Sequence, residues 1–190
     1  MTAHPLVLVS LVPTTLLARA LLAVAGSLLI ALAAQVTVPL PFSPVPVTGQ
    51  TFAVLLIGAA FGARLGAATV GLYIAEGVAG LPVFAPGGPI GPARLLGPTG
   101  GYLVGFVVAA YVVGALAERG WDRRLLTAAL AMLVGEVAIY AFGLAGLARF
   151  VPADRLLAAG LLPFVPGDLA KLALAAAALP TAWHLIGRTR

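Results

Sequence analysis

The chain has 190 residues, 62% of them hydrophobic and 9% charged, with a mean hydropathy of +1.11. Soluble domains carry about 25% charged residues, so this composition excludes an ordinary water-soluble fold. The net charge of +5 comes from ten arginines and one lysine against six acids. No basic stretch lies on a soluble element, which argues against nucleic-acid binding. Cysteine is absent, and His4 and His184 lie near opposite termini. Thiolate chemistry is therefore excluded, and neither a metal centre nor a cofactor is expected.

The stretch before Leu6 has no Lys or Arg, and apolar sequence continues through Ala18-Arg19-Ala20, which argues against a cleaved leader. The first span runs from about 14 to 38, between Pro13 and Pro39. The prolines from Pro39 to Pro46 then break any helix, because proline lacks the donor and restricts its predecessor. Apolar sequence resumes at Thr48 and is interrupted at Gly62-Ala63-Arg64. Two short spans, 48–63 and 65–80, fit better than one long helix. Residues 81–98 read as a Pro/Gly-rich loop. The fourth span is 99–116, and ERGWDRR from Glu118 to Arg124 is a charged turn. The fifth span is 125–147. A connector with a short surface helix precedes the sixth, 167–186. The expected fold class is all-α, a polytopic integral membrane bundle of six transmembrane helices in one domain over 1–190, since each span needs about 20 residues.

Six spans put both termini on one side. Arg19, Arg64, Arg119, Arg123, Arg124, Arg188 and Arg190 fall on that side, and Arg94, Arg149 and Arg155 opposite. The bias predicts cytoplasmic termini, and the preference for Arg over Lys with abundant Ala and Gly points to a bacterial chain, hence a bacterial cytoplasmic membrane location. Three small-residue stripes allow close helix approach: Gly58/Gly62/Gly66, Gly97/Gly101/Gly105 and Ala23/Ser27/Ala31. The last fits either internal packing or docking of a partner subunit.

Asp168 and Lys171 lie three apart near the start of the sixth span, and Lys171 is the only lysine. A charge at bilayer depth costs about 2.5–3.5 kcal/mol on insertion scales, so it persists where something offsets it. Glu76 ends the third span at similar depth, and Arg94 follows in the next loop. These four charges are expected to converge on the outer half of the bundle. Lys171 or Arg94 suits a carboxylate, and Asp168 suits N–H donors. A purely structural pair, with Asp168 capping the helix, is the bland alternative. Glu136 stands alone in mid-span.

The only lysine follows Ala170, so there is no Walker A loop, and no H-E-x-x-H or G-x-S-x-G occurs. Any ATP-driven step needs another polypeptide. A membrane-embedded enzyme using Glu136 or Glu76, or an assembly protein, are the competing classes.

Four motifs carry a family resemblance: Pro44-Val-Pro-Val-Thr-Gly-Gln50, Gly80-Leu-Pro-Val-Phe84, Leu96-Gly-Pro-Thr-Gly-Gly-Tyr-Leu103 and Pro163-Phe-Val-Pro-Gly-Asp-Leu-Ala-Lys171. Together they resemble the BioY family, the biotin-specific S components of energy-coupling-factor transporters. The resemblance implies a non-enzymatic six-helix subunit that captures biotin, or in the alternative another small solute. It implies as partners a transmembrane coupling subunit and two ATP-binding-cassette ATPases. It assigns ligand binding to Asp168, Lys171, Arg94 and the turn from Gly97 to Tyr102. Gln50, within the first motif, is a further candidate. Glu76 joins them on depth and charge alone. It also makes Ala23, Ser27 and Ala31 candidates for docking on the coupling subunit.

Overall fold

The computed structural model describes residues 7–11 and 15–188. His4, Pro13, Thr14 and Arg190 lie outside the described residues, as does the side chain of Arg188. A 3-10 turn, Leu8–Leu11, precedes α1, Leu16–Gln35. Thr15 caps α1, its Oγ1 accepting from the Ala18 N–H at 3.2 Å. The proline-rich stretch is closed at its base by a two-stranded antiparallel ladder, β1 (Thr37–Val38) with β2 (Val47–Thr48), in which Thr37 faces Thr48. This ladder departs from the all-α expectation: two-residue strands are too short to leave a periodicity in sequence.

The next element is α2, Gln50–Val78, and it is broken at Gly62, where φ is 80° and ψ is 175°. That conformation is open essentially to glycine alone. The chain reverses there. Gln50 Nε2 donates to Tyr73 Oη at 2.6 Å, whereas 23 residues of straight helix would separate them by about 35 Å. Gly66 packs against the backbone of Gly58 on the facing arm. The two arms, 50–61 and 63–78, therefore form an antiparallel hairpin, with the reversal two residues before Arg64.

Short α3 (Ala93–Leu96) interrupts the loop expected over 81–98. It is followed by α4 (Gly100–Ala117), a 3-10 turn at Trp121–Arg123, α5 (Leu125–Leu147), α6 (Leu156–Gly160) and α7 (Val165–Arg188). The helices α1, α4 and the hairpin pack together, α5 lies on α4, and α7 packs on α5 and α2. On the α4–α5 seam Gly101 meets Gly146 so closely that a Cβ on either would strike the other's backbone.

Among the described residues four helices, α1, α2, α4 and α5, are long and apolar enough to cross a membrane. Leucines 16, 17, 21, 28 and 32 leave one side of α1 exposed, a face suited to lipid rather than water. The small-residue stripe of α1 faces the other way. Ser27 is fully buried and Ala31 nearly so, while Ala23 is half-buried. Ser27 Oγ lies 2.9 Å from Val24 O and 3.0 Å from Glu76 Oε1, and its one O–H serves these two acceptors. Ser27 and Ala31 thus pack inward against the hairpin, and Ala23 of the same stripe stays partly accessible. Small residues permit close approach without specifying which chain approaches.

The bundle has two distinct ends. One holds the hairpin reversal, where the Ala63 N–H donates to Glu118 Oε1 at 2.8 Å. It also holds a clamp in which Trp183 Nε1 of α7 donates to Asp122 Oδ2 at 2.5 Å, with Arg123 5.0 Å above the Trp183 ring. The opposite end gathers the ladder, α3 and α6: Ser43 Oγ donates to Ala159 O at 2.7 Å, tying the proline loop to α6.

Two measurements follow. Gly62→Ala is expected to destabilise the fold by about 1–3 kcal/mol, seen as a lower melting temperature in detergent. Gly71→Ala, where an added Cβ meets nothing within 4 Å, is the control, and equal melting of the two would refute the strained reversal. Burial also pushes the Asp122 carboxyl above its ordinary 3.8, against the opposing Trp183 hydrogen bond and Arg123 charge. The folded chain holds that proton more tightly than the unfolded chain. This contribution is therefore largest at low pH and is lost as pH rises from about 4 through the raised folded value. Asp122→Asn should flatten that fall in melting temperature, and an unchanged slope would assign it to other groups.

Candidate ligand-binding site

The polar cluster is assembled by the start of α7. Pro166 suits a first helical turn, and Asp168 sits in that turn, where the helix dipole favours negative charge. Lys171 falls one turn on, with its ammonium 2.8 Å from Asp168 Oδ1. Its other contacts are Thr48 O at 2.7 Å and Thr51 Oγ1 at 3.2 Å. An ammonium has three donors, and all three have partners. Asp168 Oδ1 also accepts from Thr51 Oγ1 at 3.3 Å, and Oδ2 accepts from the Tyr140 hydroxyl of α5. A carboxylate offers about four lone-pair sites, so one acceptor site remains.

Arg94, on α3, has different surroundings. It is 5% exposed, its Nη2 donates to Ala85 O at 2.5 Å, and its guanidinium stands 5.8 Å from the Phe84 ring centre. Burial lowers its pKa from the ordinary arginine value, but an arginine keeps its charge at neutral pH. Among the described residues it forms no ion pair. Four of its five N–H donors are not used in protein hydrogen bonds.

These groups line one cavity of about 590 Å³, its open mouth included. Phe84, Tyr102, Phe106, Tyr140 and Phe164 supply aromatic walls. Apolar walls with a few placed polar groups are the usual form of a small-molecule site. Asp168 and Lys171 cancel in charge, so Arg94 leaves the cavity with a net positive charge. The site thus suits a small molecule with an anionic end, hydrogen-bond donors at the other, and an apolar body.

The structure brings Asp168, Lys171, Arg94, Gln50 and Tyr102 to this cavity. Gln50 is engaged by Tyr73 and by Thr48, whose Oγ1 lies 3.1 Å from Gln50 Oε1. The Tyr102 hydroxyl donates to Gly160 O at 2.7 Å, so its ring faces the site while its polar tip ties α4 to α6. Glu76 and Gly97 do not line the cavity. Glu76 turns to Ser27 on α1, and Gly97 ends α3. Glu136 is 4% exposed one turn before Tyr140, and neither of its carboxylate oxygens has a partner among the described residues. Thr51 and Tyr140 escaped the sequence reading, since an isolated Thr or Tyr in a span carries no periodic or charge signal.

With this geometry in hand, comparisons with known proteins agree on one family. The sequence model of the BioY family matches residues 6–188. The chain belongs to the BioY family. It is 40% identical over 142 residues to a probable biotin transporter BioY of Pyrococcus horikoshii, covering 75% of this chain and 82% of that one. It is 37% identical over 164 residues to the biotin transporter BioY of Rhizobium etli, covering 82% and 87%. Its fold is similar to a crystal structure of the S-component for biotin from an ECF-type ABC transporter. That match has a TM-score of 0.78 and 24% identity, over 87% of this chain and 90% of the other.

Removing Lys171 alone would strand Asp168 without its cation. Lys171→Met is expected to cost about 3 kcal/mol of stability. The double variant Asp168→Asn/Lys171→Met should recover most of it. Thermal unfolding in detergent of the unmodified chain, the two single variants and the double variant checks this, and additive losses would refute the coupling.

Proposed function

We propose that this chain is the biotin-binding S component of an energy-coupling-factor uptake transporter, a binding subunit with no chemistry of its own. One observation carries the reading: the cavity joins a single uncompensated cation, Arg94, to a polar floor with a free acceptor site, across aromatic walls. Biotin has the matching parts. Its valerate carboxylate pairs with Arg94, where two parallel N–H donors suit it. Its ureido N–H groups donate to Asp168, and its bicyclic body lies against Tyr102, Tyr140 and Phe164. Lys171 holds Asp168 in place rather than gripping the ligand. The names of the family relatives support biotin as the solute.

The bundle makes six crossings as one domain over 1–190. The two arms of α2 count separately, and α7 is the sixth. The arginine bias supports both termini in the cytoplasm, with the cavity facing the opposite side of the cytoplasmic membrane. Energy comes from a transmembrane coupling subunit and two ATP-binding-cassette ATPases, since this chain has no phosphate-binding loop.

Biotin binding to the purified subunit in detergent tests the assignment. Arg94→Gln is expected to weaken biotin about 10- to 100-fold, the range of a hydrogen bond to a charged group. Asp168→Asn should weaken biotin and its methyl ester alike. Absence of binding by the unmodified chain, or co-purification of a different solute identified by mass spectrometry, would overturn biotin as the ligand.

A further inference from the structure

Arg94 belongs to two cavities. Besides the site above, a second and wider chamber of about 890 Å³, open mouth included, lies among residues of the proline loop and of Pro86-Gly87-Gly88. The two share Pro46, Arg94 and Thr99. The guanidinium is therefore part of the wall between them.

What covers that guanidinium is backbone. Pro86, Gly87 and Gly88 are themselves exposed, yet Arg94 beneath them is 5% exposed. A Cβ placed on Gly88 would overlap Arg94 Nη1 and come within 2.5 Å of Cζ and 3.3 Å of Nη2. Gly88 is not among the glycines with positive φ, so an added side chain meets no backbone strain there. The obstacle is Arg94 alone, the far end of a long side chain that can yield. A larger residue at 88 would thus leave the fold intact and move the guanidinium off Ala85 O and the Phe84 ring.

We propose that Gly88 is a positioning residue for Arg94. Its missing side chain is what lets the guanidinium stand between the two chambers and meet the ligand's negative end. The carboxylate reaches Arg94 from the wider chamber and keeps that partner as the body enters the aromatic site. Gly88 thereby sets selectivity for the charged acid over neutral forms of the same ligand. This rests on the pocket being the site of a carboxylate-bearing solute.

The test compares biotin with biotin methyl ester on the purified subunit. Gly88→Ala and Gly88→Ser are expected to weaken biotin about tenfold, as loss of a charge-assisted contact does, while ester binding stays unchanged. Their melting temperatures should match that of Gly71→Ala. In an Arg94→Gln background Gly88→Ala should have no further effect, since its target is gone. Equal losses for acid and ester, losses that add to those of Arg94→Gln, or wild-type affinity in both variants would each overturn the role of Gly88. Wild-type affinity in the variants leaves the biotin reading standing. Failure of the unmodified chain to bind biotin removes both.

Discussion

One ammonium joins two distant pieces of chain, the 48–51 stretch and the start of α7, at the floor of the cavity. Lys171 of α7 reaches Thr48 at the end of β2, Thr51 in the first turn of α2 and Asp168 on its own helix. A cation withdrawn from water costs several kcal/mol unless its donors are satisfied, and here all three are. Most of the site depends on this. The ladder, the opening of the hairpin and the start of α7 take their relative positions from one side chain.

Saturation of Lys171 decides the electrostatics above it. The pair it forms with Asp168 is neutral overall and has little left to offer an anion. The field in the cavity is therefore that of Arg94, a planar fork held at Ala85 and Phe84 with most of its donors uncommitted. The acid and the base that stand out together in sequence make a scaffold, and the cation in the loop carries the spare capacity.

How much of this was legible varies residue by residue. Asp168 and Lys171 stood out because charges three apart in an apolar helix are costly without a partner. The break in 48–80 was legible from Gly62-Ala63-Arg64, although the reversing residue is Gly62 itself. Glu76 was misjudged because position along a helix gives depth but not direction: the right height leaves it pointing at Ser27. The α1 stripe left packing and docking open for a similar reason, since close approach looks the same from inside and outside the chain. Thr51 and Tyr140 acquire meaning through contacts 117 and 28 residues away. The eight-residue loop between β1 and β2 (39–46) hides a ladder that only its closed geometry reveals.

The clamp at the far end of α7 has a consequence for observing this protein. The chain has two tryptophans, Trp121 and Trp183, and both lie there, the second held by Asp122 and Arg123. Twelve residues of helix put Trp183 about 18 Å from Lys171 along the axis. Between them Pro180 removes one hydrogen bond from α7. Indole emission is thus a distant reporter, blind to direct contact with a molecule in the cavity. Any change in it on ligand addition records strain carried along α7, past its weakest turn, to the opposite face of the bundle.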